Sequence, residues 1–173
     1  MKILPRPILA ICLLFAFGCS MKTNYIPNSG APEVSFDSTF GVGEVVDDSG
    51  FEFPPNEEET IDLKLAMTEA LQKALREKGV YDAENPQWTV RTEIVDYEPG
   101  NAFARWLLPG AGATKLSVVA FVLDSEERQA AKITSARSIG FGGAYTVGAW
   151  KYVFEEVAKE IAETLTDPKK RAK

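Results

Sequence analysis

Ten residues near the middle of the chain, Lys115 to Asp124, set the tightest limit on what it can fold into. Leu116, Val118, Ala120 and Val122 alternate with Val119, Phe121 and Leu123, so both faces of this strand are apolar. Such a strand is poorly suited to a sheet edge or a wet surface, and the pattern predicts a central, doubly covered position. The rest of the chain must then supply neighbouring strands and something to lie across them.

It does so with regular periodicity. Val42 to Asp47 reads as a strand ending at the Asp48-Ser49-Gly50 turn, after a loop that Phe36 and Phe40 flank. Thr60 to Lys78 places Leu63, Met67, Ala70, Leu71, Ala74 and Leu75 on one helical face, with Gly79 as the stop and Val80 beyond it. Glu57, Glu58 and Glu59 stand at the positive end of that helix, and Lys73, Arg76 and Lys78 near its negative end. Trp88 to Tyr97 alternates as a strand, with Trp88, Val90, Thr92 and Ile94 on one side. Gln129 to Ile139 follows the Ser125–Arg128 turn as another strand. Val147 to Leu165 is an amphipathic helix that turns Trp150, Val153, Phe154, Val157, Ala158, Ile161 and Leu165 inward, and Asp167-Pro168 ends it. The predicted class is α/β, more closely α+β: a two-layer sandwich with one sheet of about four strands. The order is β-α-β-β-β-α, with two helices packed on one face.

The amino terminus predicts where such a domain lives. Lys2 and Arg6 precede an apolar run, Ile8 to Phe17, that stops at Gly18-Cys19. That run is shorter than the roughly 20 residues a membrane-spanning helix needs. Ala16-Phe17-Gly18-Cys19 resembles a lipobox, although Ala16 stands where leucine is usual. Small residues admit the chain to a peptidase, and only a thiol can carry a thioether-linked diacylglyceryl group. Residues 1–18 are therefore expected to be a lipoprotein signal peptide and Cys19 the lipidated first residue, bearing acyl chains such as palmitate. The competing readings are an ordinary secreted chain with a chance cysteine and a signal-anchor helix. Ser20, rather than Asp, after Cys19 predicts the outer membrane, with the body lipid-anchored on its periplasmic face. Two or three acyl chains anchor stably where one does not.

Residues 19–33 lack periodicity and contain Pro, Asn, Ser and Gly, so they are expected to be a flexible tether reaching roughly 20 Å. Residues 34–167 form the single α/β domain, and 168–173 a solvated basic tail. Removing residues 1–18 from 173 leaves 155, enough for one core. Losing Lys2 and Arg6 moves the formal charge from −6 to −8, which disfavours nucleic acid.

Histidine is absent, which removes every His-based triad, proton shuttle and zinc site. Cys12 goes with the signal and Cys19 is consumed by lipid, leaving neither a disulfide nor a thiol nucleophile. The carboxylate clusters Asp47-Asp48, Glu57–Glu59, Glu126-Glu127 and Glu155-Glu156 fall on turns, helix starts and solvent faces. Ser117, Ser135 and Ser138 lack a nucleophile-elbow setting and a base. No catalytic residue, metal site or cofactor is expected, and the chain does not read as an enzyme.

Two glycine-rich stretches remain. Gly140 to Gly148 lacks the third glycine or the Gly-Lys-Ser/Thr of a phosphate loop and reads as a tight turn into the last helix. Tyr97 to Thr114 is far longer than a hairpin requires. Its Asn101, Phe103, Arg105, Trp106, Leu107 and Leu108 either fold back over the sheet or form an exposed apolar segment that meets lipid or a partner. They are the candidate interaction residues.

The pattern Gly100-Asn101-Ala102-x-x-Arg105-Trp106-x-x-x-Gly110-x-Gly112, with the Lys115–Asp124 strand and Gly142-Gly143…Gly148-Ala149-Trp150, resembles the bacterial lipoproteins classed as domain of unknown function 4410. The resemblance covers roughly Val42 to Leu165 and implies a cell-envelope lipoprotein, without a biochemical role. By topology alone the chain is also similar to the curli-secretion lipoprotein and to penicillin-binding-protein activator lipoproteins, a weak warrant for function. The leading expectation is a non-enzymatic accessory module that binds an envelope protein partner. The alternative is a subunit of an oligomeric ring or pore in the outer membrane.

Overall fold

The computed structural model describes residues 21–53, 61–100, 112–140 and 149–171. Five strands and two long helices make up the domain. The strands are β1 (Met21–Pro27), β2 (Phe40–Asp47), β3 (Trp88–Glu98), β4 (Thr114–Leu123) and β5 (Gln129–Ile139). The helices are α1 (Leu63–Glu77), α2 (Ala149–Thr166) and a single turn, α3 (Pro168–Arg171). They form a mixed α+β sandwich, as expected, but the sheet has five strands in the order β1-β5-β4-β3-β2. Only β2 and β3 run parallel, and α1 supplies the crossover that a parallel pair requires.

The extra strand corrects the flexible-tether expectation. Met21 to Pro27 pairs antiparallel with Arg137 to Ala131 along the free edge of β5. Thr23 and Tyr25 turn toward the helix side, where the hydroxyls of Thr23 and Ser135 lie 3.1 Å apart. Backbone pairing drives this strand: β5 offers an unpaired edge, and a short polar strand ending in proline suits an exposed outer position. Beyond it the chain remains attached, since the Asn28 amide donates to the Ala130 carbonyl at 2.8 Å and Val34 is buried.

Helix α1 follows its sequence pattern closely. Asp62 caps it, accepting from the Leu65 amide at 3.0 Å, and the six apolar residues of the expected face are all buried. At the other end Gly79 adopts φ +72°, a left-handed conformation that costs glycine little. The Gly79 and Val80 amides donate to the Arg76 and Leu75 carbonyls, a paired closure of the helix end. Glu57 to Glu59 lie outside the described residues. In α2, Val153, Phe154, Val157, Ala158, Ile161 and Leu165 are buried, as the spacing predicts, and so is Ala162; the Trp150 side chain lies outside what the structure describes. Lys73 bridges Glu155 at 2.8 Å and Lys78 bridges Glu163 at 3.4 Å, so α1 and α2 run side by side in the same direction.

One strand departs from simple alternation. The β3–β4 register shifts between Ile94 and Asp96, which leaves Val95 exposed and turns Tyr97 into the core at 3 % exposure. Tyr97 there meets the rings of Phe51 at 5.2 Å and Phe154 at 5.8 Å. β4 is central, as expected, with Leu116, Val118, Ala120 and Val122 buried under the helices. Its other face is a correction. Val119, Phe121 and Leu123 are only half-buried, and neither helix packs over them.

Candidate docking face and carboxy-terminal clamp

The sequence-nominated residues Cys19, Asn101, Phe103, Arg105, Trp106, Leu107 and Leu108 lie outside the described residues, as does the glycine-rich stretch 141–148. What the structure gives is the frame around them. The 101–111 connection leaves β3 and rejoins β4 at stems held together by a 2.7 Å hydrogen bond from Thr114 Oγ1 to the Pro99 carbonyl. Lys115 and Glu98 pair beside it at 2.9 Å.

The helix-free side of the sheet is the described surface best suited to a partner. Alternation along β4 places Val119, Phe121 and Leu123 there, and strand pairing sets Glu93 opposite Val119, Arg91 opposite Phe121, and Lys132 beside Phe121. Arg91 lies 5.3 Å and Lys132 5.8 Å from the centre of the Phe121 ring, so cations flank an aromatic face from both neighbouring strands. Arg91 also pairs with Glu93 at 3.6 Å. An apolar centre with charged neighbours is a pattern that protein-binding surfaces share.

The second feature joins the two ends of the chain, and it corrects the expectation of a solvated tail over Pro168–Arg171. Lys170 reaches Glu160 at 3.0 Å and Glu163 at 3.1 Å. Arg171 donates from Nε to the Thr164 carbonyl at 3.0 Å, from Nη2 to the Leu165 carbonyl at 2.6 Å, and from Nη1 to the Val34 carbonyl. Its guanidinium stacks on Phe36 at 3.9 Å and Tyr25 at 4.9 Å. Burial lowers the Arg171 pKa, with the charges of Tyr25 and Glu33 opposing, and burial raises that of Tyr25. One side chain thus closes the end of α2 and fastens the β1 segment to it. The sequence hides this, because a terminal cation and two aromatics in a polar stretch show no periodicity.

These groups predict a two-sided pH profile. For Asp124 and Glu163, burial raises the pKa, yet hydrogen bonds and cations outweigh it, those of Arg128 for Asp124 and those of Lys170 and Lys78 for Glu163. Asp82 is lowered by amides of Asn85 and Glu84. Carboxylates held below their ordinary value of about 4 stabilise the fold above it, and that stability is lost as pH falls through their folded values. Lys170, raised chiefly by its hydrogen bonds to Glu160 and Glu163, stabilises below about 10.4 and loses that contribution as pH climbs through its folded value. With no histidine, no side chain of the chain has its ordinary pKa between about pH 5 and 8. Thermal melts are expected to be flat from about pH 5 to 8 and to fall below about pH 4 and above about pH 10.5.

These features define a class: a two-layer α+β domain with helices on one side of a five-strand sheet and, on the other, a half-apolar face that neither of the long described helices covers. Within that class the chain belongs to the family described as Domain of unknown function (DUF4410), whose family model matches residues 38–143. No curated protein matches the chain. Among solved structures it is similar to the PelC dodecamer from Paraburkholderia phytofirmans, with TM-score 0.54 and 12 % identity over 86 % of this chain and 98 % of that one. A variant PelC dodecamer from the same organism matches with TM-score 0.54 and 13 % identity over 87 % and 99 %. Protein XCC0632 from Xanthomonas campestris reaches TM-score 0.47 at 17 % identity over 84 % and 93 %. At these identities the PelC likeness is one of fold.

Proposed function

We propose that this chain is a cell-envelope lipoprotein, acylated at Cys19 and held on the periplasmic face of the outer membrane, whose body is a non-enzymatic docking module for an envelope protein. The observation that carries the docking role is the helix-free sheet face centred on Phe121, with Val119 and Leu123 half-buried beside it. The lipobox-like Ala16-Phe17-Gly18-Cys19 and the Ser20 that follows support the anchor.

The test combines a fatty-acid probe with crosslinking in the native envelope. Wild type is expected to take up the probe and Cys19→Ser to lose it; an unlabelled wild type overturns the anchor. Phe121→Glu is expected to lose the crosslinked partner while keeping the circular dichroism of the folded domain. A partner set unchanged by Phe121→Glu overturns the docking face.

A second reading, the subunit of a homo-oligomeric ring, is favoured by the fold shared with dodecameric PelC. In that case the partner is another copy of the chain, and β1 and β2, the outer strands of the sheet, are the edges that face it. Native mass measurement of the detergent extract decides: a defined high oligomer supports the ring, and a monomer overturns it.

A further inference from the structure

The early start of β1 fixes how the body can sit on a membrane. Strand pairing begins at Met21, two residues after Cys19. Two residues span at most about 7 Å, far less than the reach of a tether running to residue 33. The anchored residue is thus bound to one end of the sheet.

Register identifies what else lies at that end. Met21 pairs with Arg137 near the finish of β5, Ile139 pairs with Thr114 at the start of β4, and Lys115 pairs with Glu98 at the finish of β3. The connections 99–113 and 140–148 both leave from here, and together they carry one formal charge, Arg105. The opposite end holds the connections 28–39, 78–87 and 124–128, which carry nine. A third connection at the anchored end, 48–62, is acidic. However, Asp47 pairs with Ile94, so β2 stops about 13 Å short of the end of β3, at the edge roughly 19 Å from β1. The corner of the sheet formed by β1, β5 and β4 is therefore both the tethered part and the part with the least charged connections.

We propose that the domain stands end-on to the lipid bilayer, with the β1–β5–β4 corner at Met21, Lys115 and Ile139 against the headgroups and the 124–128 turn pointing away. This rests on the lipid anchor at Cys19. Lys22 is exposed at that corner, where a long cationic side chain can reach anionic headgroups while its stem lies along apolar surface. The partner of this surface is the bilayer itself, and it leaves the Phe121 face clear on the side of the sheet.

Because the mature chain has no cysteine besides Cys19, single cysteines introduced at Lys115→Cys and Ser125→Cys can be labelled selectively. Both sites are exposed, and the Lys115–Glu98 pair lost in the first is a surface ion pair of small worth. The lipidated full chain is placed in phosphatidylethanolamine–phosphatidylglycerol vesicles containing a headgroup-borne quencher. The two positions lie about 30 Å apart along the sheet, so the label at 115 is expected to be quenched at least about threefold more than that at 125. Equal quenching in a chain that carries the fatty-acid probe overturns the end-on seating and leaves the anchor standing. Absence of the fatty-acid probe overturns the anchor on which both depend.

Discussion

Phe154→Ala is expected to destabilise the domain by about 4 kcal/mol, the middle of the range for emptying a fully buried phenylalanine site. For a domain of this size that corresponds to a fall in Tm of about 8–16 °C. Phe154 is 1 % exposed and sits where the three parts of the core meet. It lies on α2, beside Ala70 and Lys73 of α1, with its ring 5.8 Å from that of Tyr97 on β3. Tyr97 in turn holds Phe51, which meets Phe53 edge-on at 4.8 Å, so the start of the β2–α1 connection rests on the same chain of rings. Loss of the Phe154 ring therefore affects more than its own cavity. Near-ultraviolet circular dichroism from Tyr97 should weaken along with the urea midpoint, and Phe154→Leu should recover more than half of the loss. A loss below about 1.5 kcal/mol would mean that the site closes up without the ring.

How much of this could be read beforehand depends on what holds each element in place. Helices α1 and α2 were readable to within a few residues, because burial of one face imposes the 3.6-residue spacing on their own sequence. The centrality of β4 followed from apolar residues at every position. Its two faces do not end alike: Leu116, Val118, Ala120 and Val122 lie under helices, whereas Val119, Phe121 and Leu123 lie under neither, and composition alone cannot distinguish a covered face from an uncovered one. β1 has the sequence of a tether because its stabilisation comes from backbone pairing to β5, which leaves little trace in side chains. The β3 register shift was equally hidden: nothing local announces that Tyr97, rather than Asp96, turns inward. The sequence-chosen interaction residues, Asn101 to Leu108, rest on composition and the family pattern. The Phe121 face needed the strand order to appear, since Arg91, Phe121 and Lys132 come together only across three strands.

Arg171→Ala is the second large effect, and it acts at the junction between the chain's two ends. Hydrogen bonds to a charged donor contribute about 1.5–3 kcal/mol each. Arg171 makes three, to the Thr164, Leu165 and Val34 carbonyls, besides its contacts with Phe36 and Tyr25. The side chain remains partly solvated, so water replaces some of what is lost, and the expected total is about 3 kcal/mol rather than the sum. Arg171→Lys keeps the charge but not the planar fork, and should retain less than half of that. The change should also be local before it is global. β1 is an edge strand whose only strand partner is β5, and its Tyr25 loses the cation stacked on it. If the loss falls on β1 opening, its amides are expected to exchange about a hundredfold faster, with core amides of β4 little changed at the same denaturant concentration. The consequence reaches the membrane. With β1 released, the chain between Cys19 and Val34 becomes the slack leash that its polar composition suggests, and the body is no longer held end-on. In the lipidated Arg171→Ala chain the difference in quenching between positions 115 and 125 should therefore shrink, although the substitution lies at the far end of the sheet. Unchanged β1 exchange would show instead that strand pairing alone keeps the anchor and the sheet together.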